Sequence, residues 1–288
     1  MSMIKFNKPW YELYYRMYCS GIIYVNEVPV VKHFGERTNS GGLSGQMPIN
    51  NVFFESGKYK VKGVMLPRKN KKALDIDNYM SIDFNVSDLN RWKETKQSFH
   101  PELESPDSEL VPNDDINAEF SNKLVNPIEN LPVYEMITEI AVEVPYKITG
   151  WKDSLDLSKF KKEELFKDVF NYYQMLYSTL KRHDATKYIE LSKEKMELQK
   201  VTFYMNNAKV NEIYNDIAGL FQEKLAPLPL KENELRLEIF GNNKLISLSR
   251  LDGTSALQFK SPDLRVEDNI SLDVKLHLVN KNKGFSII

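Results

Sequence analysis

The sequence predicts an α+β protein: an N-terminal antiparallel β-sandwich, then a unit of two helices and an antiparallel β-meander. Three observations carry that expectation. Residues 1–149 are built of short runs rich in Tyr, Val and Ile with turn signals between them. Past Gly150 the apolar spacing changes to a helical period. Past Pro229 short alternating runs return.

The stretch 10–31, WYELYYRMYCSGIIYVNEVPVV, carries residue types that fit a pleated, half-buried surface. Asn26-Glu27 is placed as a tight reversal inside it. The segment 35–46, GERTNSGGLSGQ, holds four of the chain's twelve glycines and is expected to be loop. NVFFESGKYKVKGVML (51–66) reads as strand, turn at Ser56-Gly57, then strand. Met80, Ile82, Phe84 and Val86 alternate onto one face, as do Ile140, Val142 and Val144. Between these two strands lies a polar, proline-punctuated interval, about 98–132, read as a long insertion before the last strand of the first domain. The domain expectation is therefore 1–149 and 150–288.

Leu165, Val169, Tyr173, Leu176 and Leu180 form the stripe of a first helix. Asp184 is placed as the N-cap of a second, running to about Lys224 with a bend near Asn206-Asn207, where helix propensity is weakest. Five short runs follow: Leu235–Phe240, Leu245–Leu251, Ala256–Phe259, Ile270–Leu278 and Phe285–Ile288. Gly241-Asn242-Asn243 and Asp252-Gly253 are hairpin signals among them.

The 288 residues suit about two domains at ~150 residues each. Lysine and arginine number 39 against 40 acidic residues, a net charge of −1 that argues against a whole-molecule nucleic-acid binder. No apolar run approaches the ~18 residues of a membrane span, so no membrane insertion is expected. The N-terminal residues do not read as a signal peptide, which implies a cytoplasmic protein, or a periplasmic one if a leader has been removed. A single cysteine, Cys19, excludes an intramolecular disulfide and reads as a small buried hydrophobe.

Catalytic and cofactor motifs are incomplete. His33, His100, His183 and His277 share no i, i+3 or i+4 spacing, so helical zinc motifs are absent, and each is assigned an ordinary loop or surface role. Gly41 to Gly45 lacks the lysine of a phosphate loop, and Gln46 breaks a nucleophile elbow around Ser44. Asp75-Ile76-Asp77-Asn78 opens like a calcium loop, but Met80 and Val86 stand where Gly and Glu are required. No cofactor, metal or catalytic residue is assigned.

Charge patterning is more informative. Lys58, Lys60, Lys62, Arg68, Lys69, Lys71 and Lys72 form a basic block without an acid. Glu102, Glu104, Asp107, Glu109, Asp114, Asp115, Glu119 and Glu129 form an acidic block against Lys123 alone. One reading makes the lysines guards of an edge strand and the acids a solvated insertion. A second makes Lys58–Lys72, the Glu102–Glu129 insertion, or both a partner-binding surface that steers a charged protein. A third folds the insertion over the basic strand. Nucleic acid is not the expected partner, because Arg68–Lys72 interleaves no aromatics for base stacking.

SGIIYVNEVPV with PINNVFFESGKYKVKGVML resembles the strand, Asn turn, strand, Gly-Lys and extended-strand pattern of small bacterial β-sandwich modules. WKDSLDLSKF through GNNKLISLSRLDGTSALQF is similar to two helices and a meander in uncharacterised bacterial two-domain proteins. Some of those resemble immunity proteins of interbacterial toxin systems. The resemblance implies a binding protein, in its sharpest form an inhibitor that occludes a toxin, and transfers no functional residue. The rival expectation is a ligand-binding or enzymatic α+β domain, with Tyr172, Tyr173, Tyr177 and Arg250 around a helix–sheet pocket. A scaffold role is the third, and the sequence leaves the oligomeric state open.

Overall fold

A computed structural model describes residues 6–88, 94–99, 130–260 and 269–288. The chain is mixed α+β and divides into two compact units, Met1–Lys147 and Ile148–Ile288. Among the described residues no helix is long and apolar enough to cross a membrane.

The first unit is two four-stranded antiparallel sheets. One has the order β4-β1-β6-β7, from β1 (Pro9–Met17), β4 (Leu43–Pro48), β6 (Met80–Asp88) and β7 (Glu94–Phe99). The other has the order β3-β2-β5-β8, from β2 (Ser20–Val25), β3 (Val28–His33), β5 (Gly57–Leu66) and β8 (Tyr134–Val142). Alternation decides the faces. Tyr11, Leu13, Tyr15 and Met17 of β1 are buried while their neighbours are not, and β8 buries Met136, Thr138, Ile140 and Val142 in the same way. The sheets meet at two glycines. A Cβ on Gly63 of β5 would lie 2.8 Å from Met80 Sδ of the facing sheet, and one on Gly21 of β2 would lie 3.1 Å from Met80 Cε. Asn26 and Glu27 adopt φ values of 53° and 59°, the left-handed pair that a two-residue hairpin needs between β2 and β3.

Two stretches differ from the sequence expectation. The glycine-rich segment holds a short helix, α1 (Arg37–Ser40), and then β4, which pairs along β1 from Met17↔Leu43 to Glu12↔Pro48. Residues 51–55 are not strand: Asn50–Val52 form a 3₁₀ turn that buries Phe53 and Phe54. Buried Asn50 decides that turn. Its Oδ1 accepts from Tyr11 N at 2.7 Å and its Nδ2 donates to Pro9 O at 2.8 Å, so a side chain occupies backbone groups of β1.

The second unit opens with α2 (Lys162–Lys181), whose buried residues are the expected stripe with Thr179 added. The single bent second helix is corrected to three: α3 (Ala185–Leu191), α4 (Lys193–Thr202) and α5 (Asn207–Gln222). Asp184 does cap the first of them, its carboxylate accepting from Lys187 N at 2.9 Å. The chain breaks once at Ser192 and again where Tyr204 takes φ 54°, after which Asn206 caps α5 by accepting from Lys209 N. The strands that follow are β9 (Leu235–Phe240), β10 (Leu245–Arg250), β11 (Leu257–Phe259), β12 (Ile270–Leu272), β13 (Leu276–Leu278) and β14 (Phe285–Ile287). The meander is split: the four-stranded sheet is β14-β13-β10-β9, and β11-β12 is a separate hairpin. Leu165, Val169, Leu176 and Leu180 of α2 share one core with Ile246, Leu248, Leu276, Leu278 and Ile287.

Candidate functional site

The basic block divides into two structural parts. Lys58, Lys60 and Lys62 do share one face of β5, as their spacing requires. β5 is an interior strand, however, lying between β2 and β8, so these lysines do not guard a sheet edge. On its inner face β5 carries Gly63, where a Cβ would meet Met80 of the facing sheet. On the outer face the lysines alternate with apolar and acidic partners. Lys62 lies over the Tyr24 ring at 4.6 Å and opposite Ile137, which is 41% exposed. Lys60 pairs with Glu27 at 3.3 Å and stands opposite Glu139. Lys58 is exposed opposite Ala141. The face is therefore amphipathic, with stems and rings of Lys62 and Tyr24 packed under charged heads.

Past β5 the block serves the loop that carries it. Arg68 donates to Asp75 at 2.7 Å and stacks over Tyr18 at 4.8 Å, and Tyr18 in turn stacks with Tyr79. Lys69 pairs with Glu36, and its backbone N–H donates to Thr38 Oγ1. Lys71 and Lys72 are exposed. Asp75 to Asn78 is a tight turn, Asn78 N donating to Asp75 O and Asp75 N to Asn78 Oδ1. Among the described residues no cluster of three His, Cys, Asp or Glu side chains is placed to hold a metal. Glu102, Glu104, Asp107, Glu109, Asp114 and Asp115 lie outside the described residues.

The densest polar geometry is in the second unit, at a histidine that spacing assigned an ordinary role. His277 of β13 is 0% exposed. Its Nδ1 is 2.8 Å from Ser154 Oγ, and its Nε2 is 2.9 Å from both Glu194 Oε1 and Ser286 Oγ. An ionised carboxylate only accepts, so Nε2 carries a proton toward Glu194, while Nδ1 shares a hydrogen bond with the Ser154 hydroxyl. Ser286 donates to Glu194 Oε2 at 2.8 Å, and Lys244 Nζ donates to Ser154 O at 2.7 Å. The His277 hydrogen bond holds the Glu194 carboxyl below its ordinary range, against the opposing effect of burial. Serine, imidazole and carboxylate in series are the parts of an activated nucleophile. Ser154, though, is 4% exposed and its own N–H is spent on Trp151 O, so the described residues give the hydroxyl neither open access nor an oxyanion donor at that nitrogen. What the series does mechanically is tie α4, β13, β14 and the turn at Ser154 together.

The expected polar handles of a helix–sheet pocket are used structurally. Tyr173 is buried, its hydroxyl donating to Val274 O at 2.8 Å and accepting from Leu248 N at 3.1 Å, and burial pushes its ionisation strongly up. Its ring belongs to the core, with Tyr172 and Tyr177 at the margin. Arg250 donates to Pro229 O and Ala256 O and pairs with Glu234. Cys19 is a free, buried thiol whose pKa burial raises to about 12, so it is unreactive as a nucleophile at neutral pH. Comparison with protein-family models, curated proteins and solved structures returns no match.

Proposed function

We propose that this chain is a non-enzymatic protein-binding protein whose contact surface is the outer face of the β3-β2-β5-β8 sheet. One observation carries the reading: Lys58, Lys60 and Lys62 rise in register from an interior strand, with Tyr24 and Ile137 on either side of Lys62. An interior strand fixes the backbone from which these lysines rise, and lysines in a row beside a small apolar patch suit a partner surface carrying carboxylates. In its sharpest form the protein is an immunity-type inhibitor that occludes the working face of a bacterial toxin. The combined substitution Lys58→Glu, Lys60→Glu and Lys62→Glu tests the site. Binding to a partner purified with the wild-type chain should weaken at low salt and lose most of its salt dependence. Unchanged affinity would remove the site.

The Ser154–His277–Glu194 series favours a second reading, a ligand-binding or acyl-transferring α+β unit. A fluorophosphonate probe tests the acyl-transferring form of that reading. Labelling of the wild type that disappears in Ser154→Ala supports it, and an unlabelled wild type removes it.

A further inference from the structure

We infer that the outer edge of β8 is a strand-addition site for an extended basic–apolar–basic segment of another protein. This goes beyond the contact face proposed above and holds or fails separately from it.

Edge strands in native sheets are shortened, bulged, interrupted by proline, charged or covered, because an unmodified edge pairs with any free strand. Two other edges of this sandwich carry such devices. β3 contains Pro29, and its pairing with β2 shifts register between Ile23 and Tyr24. β4 is six residues long and ends in Pro48. Among the described residues β8 has no proline, bulge or covering strand, and its outward charges are Glu135 and Glu139. It runs nine residues without proline or bulge, in unbroken register with β5 from Tyr134↔Met65 to Val142↔Gly57. Among the described residues no strand pairs with its other side.

The side chains specify the occupant. On the outer face one row reads Glu27, Lys60, Glu139, with an ion pair at its start and direct register at its end. A basic residue on the next strand continues that alternation. The adjacent row reads Tyr24, Lys62, Ile137 and ends on an exposed apolar side chain, which calls for an apolar neighbour. The row after it ends on exposed Glu135 and calls for a second basic residue. The partner strand therefore places basic, apolar and basic side chains at alternate positions, and main-chain hydrogen bonds supply the rest of the affinity. A second copy of β8 does not fit. Centred on Thr138, antiparallel self-addition sets Glu139 opposite Ile137 and Glu135 opposite Ala141, so the glutamates of the two copies crowd at diagonal positions on one face and none meets a basic residue on the added strand.

The test uses the full chain and a capped seven-residue peptide with lysine, valine and lysine at its alternate outward positions and valines between. A second peptide replaces the lysines by glutamate. Binding is followed by fluorescence anisotropy, and amide exchange in 134–142 by NMR. The lysine peptide should bind and slow those alternate β8 amides that do not bond to β5. In the double variant Glu135→Lys and Glu139→Lys, both exposed positions, it should bind about tenfold more weakly while the glutamate peptide gains by a similar factor. Four results overturn the inference: no binding, an unchanged preference in the double variant, protection confined to other strands, or outward β8 amides already protected in the free chain. A dimer held through β8, seen as concentration-dependent protection of those amides, overturns it as well.

Discussion

His277 holds a serine hydroxyl on one ring nitrogen and a carboxylate on the other, and each of those partners is tied to a further group. Replacing it by alanine strands the Ser154 hydroxyl in a buried site and leaves a cavity. His277→Ala should therefore lower stability by roughly 2–4 kcal/mol, read from urea unfolding. Glu194 adds a pH dependence whose sign follows from its lowered pKa. Its contribution is complete above the unfolded carboxylate range, near ~4.3, and is lost as pH falls through the lower folded value. The residue is 45% exposed, so screening keeps that contribution small. Glu194→Gln should flatten the part of the acid-side stability loss that Glu194 supplies, seen by comparing unfolding midpoints at pH 7 and pH 3. The two glycines between the sheets differ in kind. A methyl on Gly63 meets the mobile ends of Met136 and Met80, whereas one on Gly21 meets Val64 O, a backbone atom, at 2.2 Å. Gly63→Ala should cost about 1–3 kcal/mol, and Gly21→Ala distinctly more, measured by thermal unfolding side by side.

Elements were legible in the sequence wherever one residue type had one local effect. The reversal at Asn26-Glu27, the α2 stripe and the Asp184 cap are of that kind. Asp184→Ala and Asn206→Ala should each cost about 1 kcal/mol, because each frees an N-terminal N–H of its helix. Circular dichroism melts of the two variants against the wild type check this. Apolar spacing alone failed at Ser192 and Phe203, where the stripe continues but the chain turns. Across the three shorter helices the spacing reported neither the breaks nor the buried face, since Val201 and Leu220 are exposed while Val210 is buried. The same blindness hid β4, whose glycines and serines pair because β1 offers an edge to pair with. It also mistook β5 for an edge strand, since lysines at alternate positions look alike on an exposed face and on an exposed edge.

For the whole molecule, the net charge of −1 conceals a basic block and an acidic block in the same half of the chain. The basic block itself separates, with three lysines on a sheet face while Arg68 and Lys69 hold a loop. Unit 2 carries its own core of α2 and sheet residues. Residues 1–147 and 148–288, expressed separately, should each fold cooperatively, checked by amide dispersion in NMR spectra and a single unfolding transition for each. By itself the sequence determined the α+β class, most strand and helix positions and the faces they bury, because alternation, helical spacing and turn chemistry act over a few neighbouring residues. Only the tertiary structure decided which strands are interior, where the meander splits, and that Ser154, Glu194, His277 and Ser286 meet. Those four residues lie up to 132 positions apart in the chain. No local pattern encodes such a meeting, because it is set by how helix and sheet pack together.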